Sequence, residues 1–570
     1  MDFSGHRKIK VALLADSSSQ LLNQAIRAYG YEAKIEFQIF ESDYNQIDLQ
    51  VFESSSDLYS FKPDFVLFNL SSEHLLKSFY LLNHDSQTRF SEEIFMKIQN
   101  YCKAVNERCS AKIIINTFPE INDGIYGNYA SKIGASFIYQ VRKCNLVLME
   151  YAQQVNDLFV VDIALLGSQF GYRFAFDPKM YVNADLVFAI DFLPIIAKHV
   201  TDIIQSVSGI FKKCLILDLD NTLWGGIIGD DGLEGIQLGE LGIGKAFTEF
   251  QLWVRQLKLR GILLAICSKN TEEIAKEAFE KHPDMVLKLE DIAIFKVNWN
   301  TKVENIRSIQ SVLNIGFDSM VFVDDNAFER EMVRSAIPGI TVPDLPEDPA
   351  EYLLYLRNLN LFEIATITEE DGKRTKQYQE EAARNTLKQH FENEEQFLES
   401  LEMKALVRPF DKFNTPRVAQ LSQRSNQFNL RTVRYTEEDL NKISNSKEYF
   451  PISLSLKDRI GDHGLIGIVI LKRIDSGTLF IENWIMSCRV LKRRMEEFTL
   501  NEIVEIGKVN GFERIAGEYL PTSKNGIVKN HYKDLGFLNE NGKWILDINH
   551  FQIKEHFITR LNYGTAEIIE

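Results

Sequence analysis

The chain has 570 residues, of which 45% are hydrophobic and 25% are charged, so its length suits about three domains and its composition excludes global disorder. Acidic residues outnumber basic ones by 80 to 64, and the net charge of −16 argues against nonspecific binding to a nucleic-acid backbone. The longest apolar region, around 184–204, is interrupted by charged residues and is not expected to span a bilayer.

The cysteines and the amino-terminal segment bear on the cellular compartment. Six cysteines are sparse in a chain of this length, and no CxxC pair occurs, which argues against a zinc site and a disulfide framework. The only apolar run near the start, Val11–Ala15, is too short for the core of a signal peptide. We therefore expect a soluble, cytoplasmic protein with no membrane or nucleic-acid partner.

Residues 1–205 alternate short apolar runs with helical patterns. The runs at 10–15, 64–70, 112–117 and 158–163 are continuously apolar, which is typical of strands buried on both faces of a parallel sheet. The helical stretches between them fit βαβ crossovers. The sequence therefore predicts an α/β domain over this part of the chain.

Three further segments follow along the chain. A second α/β domain is predicted over 206–350, and a polar, charged helix then predicts a helical connector over 351–402. The last segment, 403–570, is predicted to be an α+β domain. Its expected strands are 465–474, 478–487, 513–520 and 543–548, and its expected helices are 493–509 and 527–535.

The strongest functional signal is the segment LILDLDNTLWGG at 215–226. Asp218 and Asp220 follow a buried strand at the carboxyl edge of the predicted sheet, where open α/β sheets bind ligands. A second acidic pair, Asp324 and Asp325, ends another apolar strand. Carboxylates this close repel one another unless a cation compensates, and Mg²⁺ suits oxygen ligands together with a substrate phosphate.

A hydroxyl and an ammonium group belong to the same pattern. Ser268 ends the apolar run 262–268, and Lys302 lies 22 residues before Asp324. Beside carboxylates, these groups supply the neutralisation that a phosphoryl oxygen needs. Chance acids at strand ends are the alternative, but the ordered set favours a phosphoryl-transfer site.

This order of residues resembles the haloacid dehalogenase-like phosphatase superfamily: Asp-x-Asp-x-Thr on a first strand, Ser on a second, then Lys and paired Asp. The resemblance implies a Rossmannoid domain in which Asp218 is the nucleophile and forms an aspartyl-phosphate. It also implies that Asp220 is the general acid and then the base, with Thr222 helping to hold it. Ser268 and Lys302 would bind the phosphoryl group.

The same resemblance implies a set of Mg²⁺ ligands. These are Asp218, the backbone carbonyl of Asp220, and Asp324, with Asp325 in support. Asn221 departs from the pattern, because most of the superfamily has Gly at this position.

The spacing leaves no room for a large cap domain over the site. Asp218 and Ser268 are 50 residues apart, and Ser268 and Lys302 are 34 apart. The first interval opens with glycines that suit a tight β-hairpin flap. A capless site favours a bulky or protein-borne substrate.

Longer segments closely resemble the FkbH-like branch, subfamily IIIC, of this superfamily. They are LDLDNTLWGGIIGDDGLEGI in the middle domain and VAQLSQRSNQFNLRTVRY, LKDRIGDHGLIGIV and IMSCRVLKRRMEEF in the last one. Members act in making unusual polyketide extender units: they take D-1,3-bisphosphoglycerate, remove phosphate and load the glyceryl group onto the phosphopantetheine thiol of an acyl carrier protein. The resemblance thus implies a Mg²⁺-dependent phosphatase and acyltransferase. A plain phosphatase acting on a small or macromolecular phosphate ester, and a carrier-protein-binding scaffold, are the alternatives.

An enzyme thioester is one route for glyceryl transfer, since a thiolate exchanges acyl groups readily. Cys267, beside Ser268, is the candidate, and its neighbour Lys269 would lower the pKa of the thiol. The alternative is that Cys267 packs in the core, as alternation along the strand indicates and as unpaired cysteines commonly do.

The last domain resembles the GCN5-related acyltransferase fold. Such folds seat the pyrophosphate of coenzyme A or phosphopantetheine between a strand and the start of the next helix. Here that junction would be 487–494, with cationic side chains from Arg489, Lys492, Arg493 and Arg494. The usual pattern has Gly at the position of Lys492. A structural domain with a solvated basic helix start is the alternative.

The first domain faintly resembles the SGNH-hydrolase fold. Ser17 would follow the first strand, with Asn69 and Asn116 at later strand ends. The sequence lacks a visible Asp-x-x-His, which such enzymes use as orienter and base. Because a serine hydroxyl without a base is a weak nucleophile, we expect a non-catalytic binding domain.

Overall fold

The computed structural model describes residues 3, 5–367, 374–388, 391, 393–425, 427–487, 490–522, 524–540 and 542–561. The chain divides into two compact units, Met1–Gln205 and Ser206–Glu570. Among the described residues, every helix is too short or too polar to cross a membrane. The second unit contains a middle domain and a C-terminal domain, joined by the connector.

Five parallel strands form the sheet of the first unit. They are β1 (Arg7–Ala15), β2 (Ile35–Glu41), β3 (Phe65–Asn69), β4 (Lys112–Asn116) and β5 (Leu158–Val161), in the order β2-β1-β3-β4-β5. The helices are α1 (Gln20–Glu32), α2 (Ile47–Phe52), α3 (Asp57–Phe61), α4 (Ser72–Tyr80), α5 (His84–Gln87), α6 (Phe90–Arg108), α7 (Phe137–Ala152), α8 (Ile163–Phe170), α9 (Tyr172–Ala175), α10 (Pro178–Ala184) and α11 (Leu193–Val207). Only β2 was not predicted, because this edge strand mixes polar and apolar residues.

The middle domain has a second, four-stranded parallel sheet. Its strands are β6 (Cys214–Leu217), β7 (Leu263–Ser268), β8 (Ile292–Val297) and β9 (Met320–Val323), in the order β8-β7-β6-β9. Its helices are α12 (Ile228–Gly235), α13 (Gly242–Leu259), α14 (Glu272–Lys281), α15 (Lys302–Leu313), α16 (Ala327–Ala336) and α17 (Tyr352–Asn358). The last of these lies within the predicted connector, but Tyr352 and Leu356 pack into the core of this sheet. Alternate side chains of each strand are buried on opposite faces, so both faces carry an apolar core.

The segment after β6 differs from the predicted tight β-hairpin flap. A single antiparallel bridge joins Gly225 to Gln237, and α12 lies between them. Gly226 has φ +89°, and a Cβ there would lie 2.6 Å from a carboxylate oxygen of Asp231. Residues 214–323 are described throughout, and no folded domain is inserted among them.

The connector contains α18 (Arg374–Lys388) and α19 (Glu394–Ser400), and an eight-stranded, mainly antiparallel sheet follows it. The strands are β10 (Met403–Pro409), β11 (Tyr449–Lys457), β12 (Asp462–Arg473), β13 (Thr478–Met486), β14 (Arg514–Gly517), β15 (Leu538–Glu540), β16 (Lys543–Asp547) and β17 (Ile558–Leu561). The helices are α20 (Thr415–Arg424), α21 (Glu437–Ser444), α22 (Met495–Val509) and α23 (His531–Asp534). As expected from the apolar runs, β12 and β13 pair side by side.

Candidate functional site

The carboxyl edge of the middle sheet gathers the predicted functional residues of this domain. Asp218 directly follows β6, Ser268 ends β7, and Asp324 directly follows β9. Lys302 is the first residue of α15, and the Thr301 side chain caps this helix by accepting a hydrogen bond from the backbone N–H of Glu304. Because β6, β7 and β9 are parallel, their carboxyl ends meet at one edge.

Lys302 is buried between two carboxylates. Its Nζ lies 2.8 Å from Oδ2 of Asp218 and also donates to Oδ2 of Asp324. Asp325 joins them: one carboxylate oxygen from each of the three aspartates lies within 4.8 Å of the others. We call Asp218, Asp324, Asp325 and Lys302 the acidic cluster.

The acidic cluster carries more negative than positive charge. Burial raises the pKa of Asp324 to about 7, the charge of Asp218 adds to this effect, and Lys302 opposes it. Burial and Asp218 likewise raise the pKa of Asp325. Burial by itself would lower the pKa of Lys302, but the two carboxylates outweigh it and raise the pKa. The cluster therefore needs a further cation to hold its carboxylates in the charged form.

The donor atoms of the acidic cluster fit Mg²⁺. All are carboxylate oxygens, which this hard cation prefers. Oδ1 of Asp218 is buried and has no hydrogen-bond partner among the described residues, so the side chain has an oxygen that a bound group would satisfy. The residues present thus match the implied ligand set of Asp218, Asp324 and Asp325. The carboxylate of Asp220 is not part of it, as expected if only its backbone carbonyl is a ligand.

Asp220 is held by three donors that the sequence analysis did not assign. Nε1 of Trp224 donates to Oδ1 at 2.9 Å, the backbone N–H of Ile228 donates to the same oxygen at 3.0 Å, and Nδ2 of Asn270 donates to Oδ2 at 2.8 Å. Burial raises the pKa of Asp220, and these hydrogen bonds oppose the rise. The motif letters W in NTLWGG and N in CSKN were the available signals for Trp224 and Asn270.

Thr222 has a different partner from the one implied by the resemblance. Its Oγ1 accepts from the backbone N–H of Asp325 at 3.1 Å, so it positions Asp325 rather than Asp220. Arg330, also missed in the sequence, donates to the backbone carbonyls of Asp324 and Asp325 at 2.9 and 2.6 Å. Thr222 and Arg330 therefore both hold the loop after β9, one through a backbone N–H and the other through backbone carbonyls.

Asn221 adopts the backbone conformation that a Gly would tolerate. Its φ is +53°, in the left-handed region, where Asn is among the few non-Gly residues found with any frequency. Its Oδ1 accepts from the backbone N–H of Gly226 at 2.9 Å and so helps to hold the turn after β6. The departure from the superfamily pattern thus leaves the turn intact.

The structure does not bring Cys267 into the acidic cluster. Its side chain is fully buried in the apolar core with Ile216 and Ile306, and its Sγ lies 3.8 Å from the carbonyl oxygen of Lys302. Burial raises the pKa of this thiol strongly, and Lys302 lowers it too little to compensate. Lys269 is paired with Glu329 instead of activating the thiol. We therefore correct the sequence-based hypothesis and assign Cys267 to packing.

The predicted pyrophosphate junction also differs from expectation. Arg493 is 6% exposed and is held in the protein interior by Asp458, His463 and Glu381, so its guanidinium does not face a ligand from solvent. Arg494 is exposed and paired with Glu497 at 3.1 Å. Lys492 is exposed and has φ +63°, the conformation that the Gly of the usual pattern would adopt. Arg489 lies outside the described residues.

In the first unit, Ser17 is buried just after β1, and a histidine that the sequence analysis did not consider lies at the same sheet edge. Nε2 of His74 is 3.1 Å from Oδ1 of Asp185, and its Nδ1 is 3.8 Å from Oδ1 of Asp16. These contacts join His74 to two carboxylates. The expectation of a non-catalytic binding domain stays a prediction.

A family profile described as the N-terminal domain of FkbH matches residues 10–205. Among solved structures, the N-terminal part of a Bacteroides fragilis protein, containing a phosphatase domain and complexed with Mg, is 49% identical to this chain, with a TM-score of 0.63. The match covers 64% of this chain and 96% of that one. The chain belongs to the FkbH-like family. This FkbH-like chain is accordingly a member of the haloacid dehalogenase-like superfamily.

More distant solved structures match about a quarter of the FkbH-like chain. The ribosomal-protein-S18-alanine N-acetyltransferase of Escherichia coli is 12% identical, with a TM-score of 0.20, over 25% of this chain and 94% of its own. A spermidine N-acetyltransferase of Vibrio cholerae, in complex with CoA and spermine, is 14% identical, with a TM-score of 0.20, over 26% and 96%. No curated protein matches this chain. Likenesses this distant assign no activity to the C-terminal domain.

The hydrogen bond from Asn270 to Asp220 predicts a positioning role. We expect Asn270→Ala to lower kcat for phosphate release by roughly 10- to 100-fold, because the half-buried carboxylate of Asp220 loses one of its charged hydrogen bonds. KM should change little, since Asn270 contacts Asp220 and not the acidic cluster. Asn300→Ala, at an exposed asparagine on the same sheet edge, is the matched control. Equal kcat values for the two variants would contradict the assignment.

Proposed function

We propose that the acidic cluster is the active site of a Mg²⁺-dependent phosphatase that works by nucleophilic attack of Asp218. The observation that carries this proposal is the geometry of one site: Oδ1 of Asp218 has no hydrogen-bond partner among the described residues, while Oδ2 is fixed by Lys302. Because Lys302 holds Asp218 through Oδ2, Oδ1 of Asp218 is available to attack phosphorus. Mg²⁺, bound by Asp218, Asp324 and Asp325, would neutralise the charge of the phosphoryl group.

The side chains at this site account for both the formation and the hydrolysis of an aspartyl-phosphate. A carboxylate oxygen of Asp218 forms a bond to phosphorus, and the bond from phosphorus to the leaving oxygen breaks, which gives an aspartyl-phosphate. Asp220 supplies a proton to the leaving oxygen and then takes one from the water that hydrolyses the aspartyl-phosphate. Lys302 orients Asp218, and Ser268, buried at the end of β7, lies at the edge where the phosphoryl oxygens would sit.

We infer further that the substrate is a phosphoglyceryl donor and that the glyceryl group passes to an acyl carrier protein. Membership of the FkbH-like family and the absence of an inserted cap over residues 214–323 support this inference, because an open site admits a large partner. The phosphopantetheine thiol attacks the acyl carbon, whose bond to the acyl phosphate breaks. The ester phosphate passes to Asp218, and water hydrolyses the resulting aspartyl-phosphate, so two phosphates are released for each glyceryl thioester formed.

The proposal predicts a metal-dependent, carrier-dependent reaction. Full-length protein should release phosphate from 1,3-bisphosphoglycerate and add a glyceryl group to holo carrier protein, as measured by a phosphate assay and by intact-protein mass spectrometry. EDTA should abolish release of the ester phosphate and excess Mg²⁺ should restore it, because the negatively charged acidic cluster needs a cation to bind a phosphoryl group.

Two control reactions separate the candidate activities. Apo carrier protein, which lacks the thiol, should remain unloaded. Phosphate release without any loading of holo carrier would favour the alternative that the protein is a plain phosphatase. Release of the ester phosphate that is insensitive to EDTA would contradict the metal site, and loading without release of the ester phosphate would return the acidic cluster to a structural role.

A further inference from the structure

The sheet of the first unit has a topological switch point between β1 and β3. From β1 the chain crosses to β2 on one side, whereas β3, β4 and β5 lie on the other side. The connections that leave β1 and β3 therefore diverge, and open parallel sheets bind ligands outside the carboxyl ends of such a strand pair. Asp16 directly follows β1, and His74 lies in the first turn of α4, which follows β3. The acidic cluster belongs to the second unit, so the two places are different sites.

His74 contacts carboxylates from two distant segments at this switch point. Its Nε2 lies 3.1 Å from Oδ1 of Asp185, and its Nδ1 lies 3.8 Å from Oδ1 of Asp16. The backbone N–H of Ser18 donates to the backbone carbonyl of Asp185 at 3.0 Å and so holds this residue beside the end of β1. Glu73 precedes His74 in α4. We call Asp16, Glu73, His74 and Asp185 the His74 site.

The His74 site contains a buried acceptor without a donor. Oδ1 of Asp16 is buried and has no hydrogen-bond partner among the described residues, because 3.8 Å from Nδ1 of His74 is too long for a hydrogen bond. Oδ2 of the same side chain accepts from the backbone N–H of Ser71 at 2.9 Å, so the carboxylate is fixed in place. Buried acceptors are normally satisfied, and Oδ1 therefore calls for a donor from a bound molecule.

The charges of the His74 site are unbalanced towards the negative. Burial raises the pKa of Glu73 to about 7, the charges of Asp16 and Asp185 add to this effect, and His74 opposes it. Burial also raises the pKa of Asp16, which the backbone N–H of Ser71 and the charge of His74 oppose. Three carboxylates thus share one imidazole in a partly buried setting, where a bound cation would be stabilised.

Aromatic rings lie beside these carboxylates. The ring of Tyr181 is 6.5 Å from that of His74, and Phe176 lies between Tyr181 and Tyr172, at 5.9 and 5.2 Å from their rings. Burial raises the pKa of Tyr172 to about 12 and also raises that of Tyr181, and carboxylates of the His74 site add to both shifts. Tyr172 is 44% exposed, so its ring is open to solvent. Aromatic faces attract organic cations.

We propose that the His74 site binds an organic ammonium ion, whose charge lies among Asp16, Glu73 and Asp185 and whose carbon substituents contact Tyr172 and Tyr181. A primary ammonium group has three hydrogen-bond donors and no acceptor, which matches the unsatisfied Oδ1 of Asp16. The first unit is then a binding domain for a cationic small molecule. This proposal does not rest on the chemistry proposed for the acidic cluster.

The experiment is a calorimetric titration of the full-length protein with ethylammonium chloride and, separately, with tetramethylammonium chloride, at constant ionic strength. Excess Mg²⁺ is present throughout, because it competes with both probes for the acidic cluster. We expect saturable binding of at least one probe. Binding of ethylammonium alone identifies a primary amine that is recognised by hydrogen bonds, and binding of tetramethylammonium alone identifies a quaternary ammonium that is recognised by the aromatic rings.

Two pairs of variants assign the binding to the His74 site. Glu73→Gln should weaken binding by roughly 10-fold or more, because it removes a carboxylate charge at nearly constant size. Glu150→Gln, at an exposed glutamate of α7, is its control and should bind as the wild type does. Tyr172→Leu should weaken binding by roughly 3- to 10-fold, because it replaces the aromatic face by an aliphatic one. Tyr139→Leu is the matched control, since Tyr139 lies in α7 and is 43% exposed.

Two results would overturn the proposal. One is the absence of saturable binding for both probes. The other is binding that Glu73→Gln and Tyr172→Leu both leave unchanged, which would place the cation elsewhere on the protein. Both variants should release phosphate in Mg²⁺ as the wild type does. A failure of phosphate release in the wild type bears only on the acidic cluster, so the two proposals fail independently.

Discussion

Replacing Asp218 by Asn should lower the rate of phosphate release by at least roughly 1,000-fold, because an amide is a poor nucleophile and removing a nucleophile costs enzymes of this kind several orders of magnitude. The protein should remain folded. Asn keeps the size of the side chain, and Lys302 retains its contact with Asp324. Steady-state phosphate release in Mg²⁺ measures the first effect, and circular dichroism measures the second.

Asp230→Asn is the control for the loss of one carboxylate near the site. Asp230 is exposed in α12, on the segment that follows β6, and makes no contact with the acidic cluster in the structure. This variant should release phosphate as the wild type does. Substantial turnover by Asp218→Asn would show that another group is the nucleophile, and the assignment of the acidic cluster would then fail.

The second large effect concerns the buried ion network of the C-terminal domain. Nε and an NH2 group of Arg384 donate to the two oxygens of Asp458 at 2.7 and 2.8 Å, and Nε2 of His463 is 3.0 Å from Oδ2. Arg493 lies 3.4 Å from the same oxygen. Burial lowers the pKa of His463 to about 4, so the ring is neutral at pH 7. Asp458 is the most deeply buried of the carboxylates that balance the two buried arginines, the others being Glu380 and Glu381.

Asp458→Ala should therefore destabilise the second unit by about 3–5 kcal/mol, since breaking a buried pair leaves uncompensated buried charge. Urea unfolding followed by fluorescence measures the change in the free energy of unfolding. Asp462→Asn, at the exposed aspartate that begins β12, should change it by no more than about 0.5 kcal/mol. A similar, small change in both variants would mean that the network contributes little to stability.

This network also explains two motifs that the sequence connected only by family resemblance. LKDRIGDHGLIGIV supplies Asp458 and His463, and IMSCRVLKRRMEEF supplies Arg493. Gly461 lies so close to Glu380 of α18 that a Cβ there would collide with its carboxylate. The motifs thus join the connector helix to the start of α22. Of the basic residues predicted to form a binding patch, Arg493 is buried and structural, whereas Lys492 and Arg494 are exposed.

Much of the candidate site could be predicted from the sequence. Continuous apolar runs identify strands buried on both faces, and the polar residues that follow them lie at the carboxyl edge of a parallel sheet. Asp218, Ser268 and Asp324 could therefore be assigned to one edge without coordinates, and Lys302 was correctly grouped with them. Their closeness follows from strand direction alone.

Other features were decided only by the tertiary structure. Thr222 contacts Asp325, which is 103 residues away, and Asn270 contacts Asp220, 50 residues away. Local periodicity indicates which face of a strand a side chain occupies, but it does not specify the hydrogen-bond partner across a loop. The burial of Arg493 and the packing of Cys267 depend on how separate elements pack. The sequence thus determined the sheet edge and its chemistry. Long-range packing determined the hydrogen-bond partners and the pKa shifts, because both depend on distances between segments far apart in the chain.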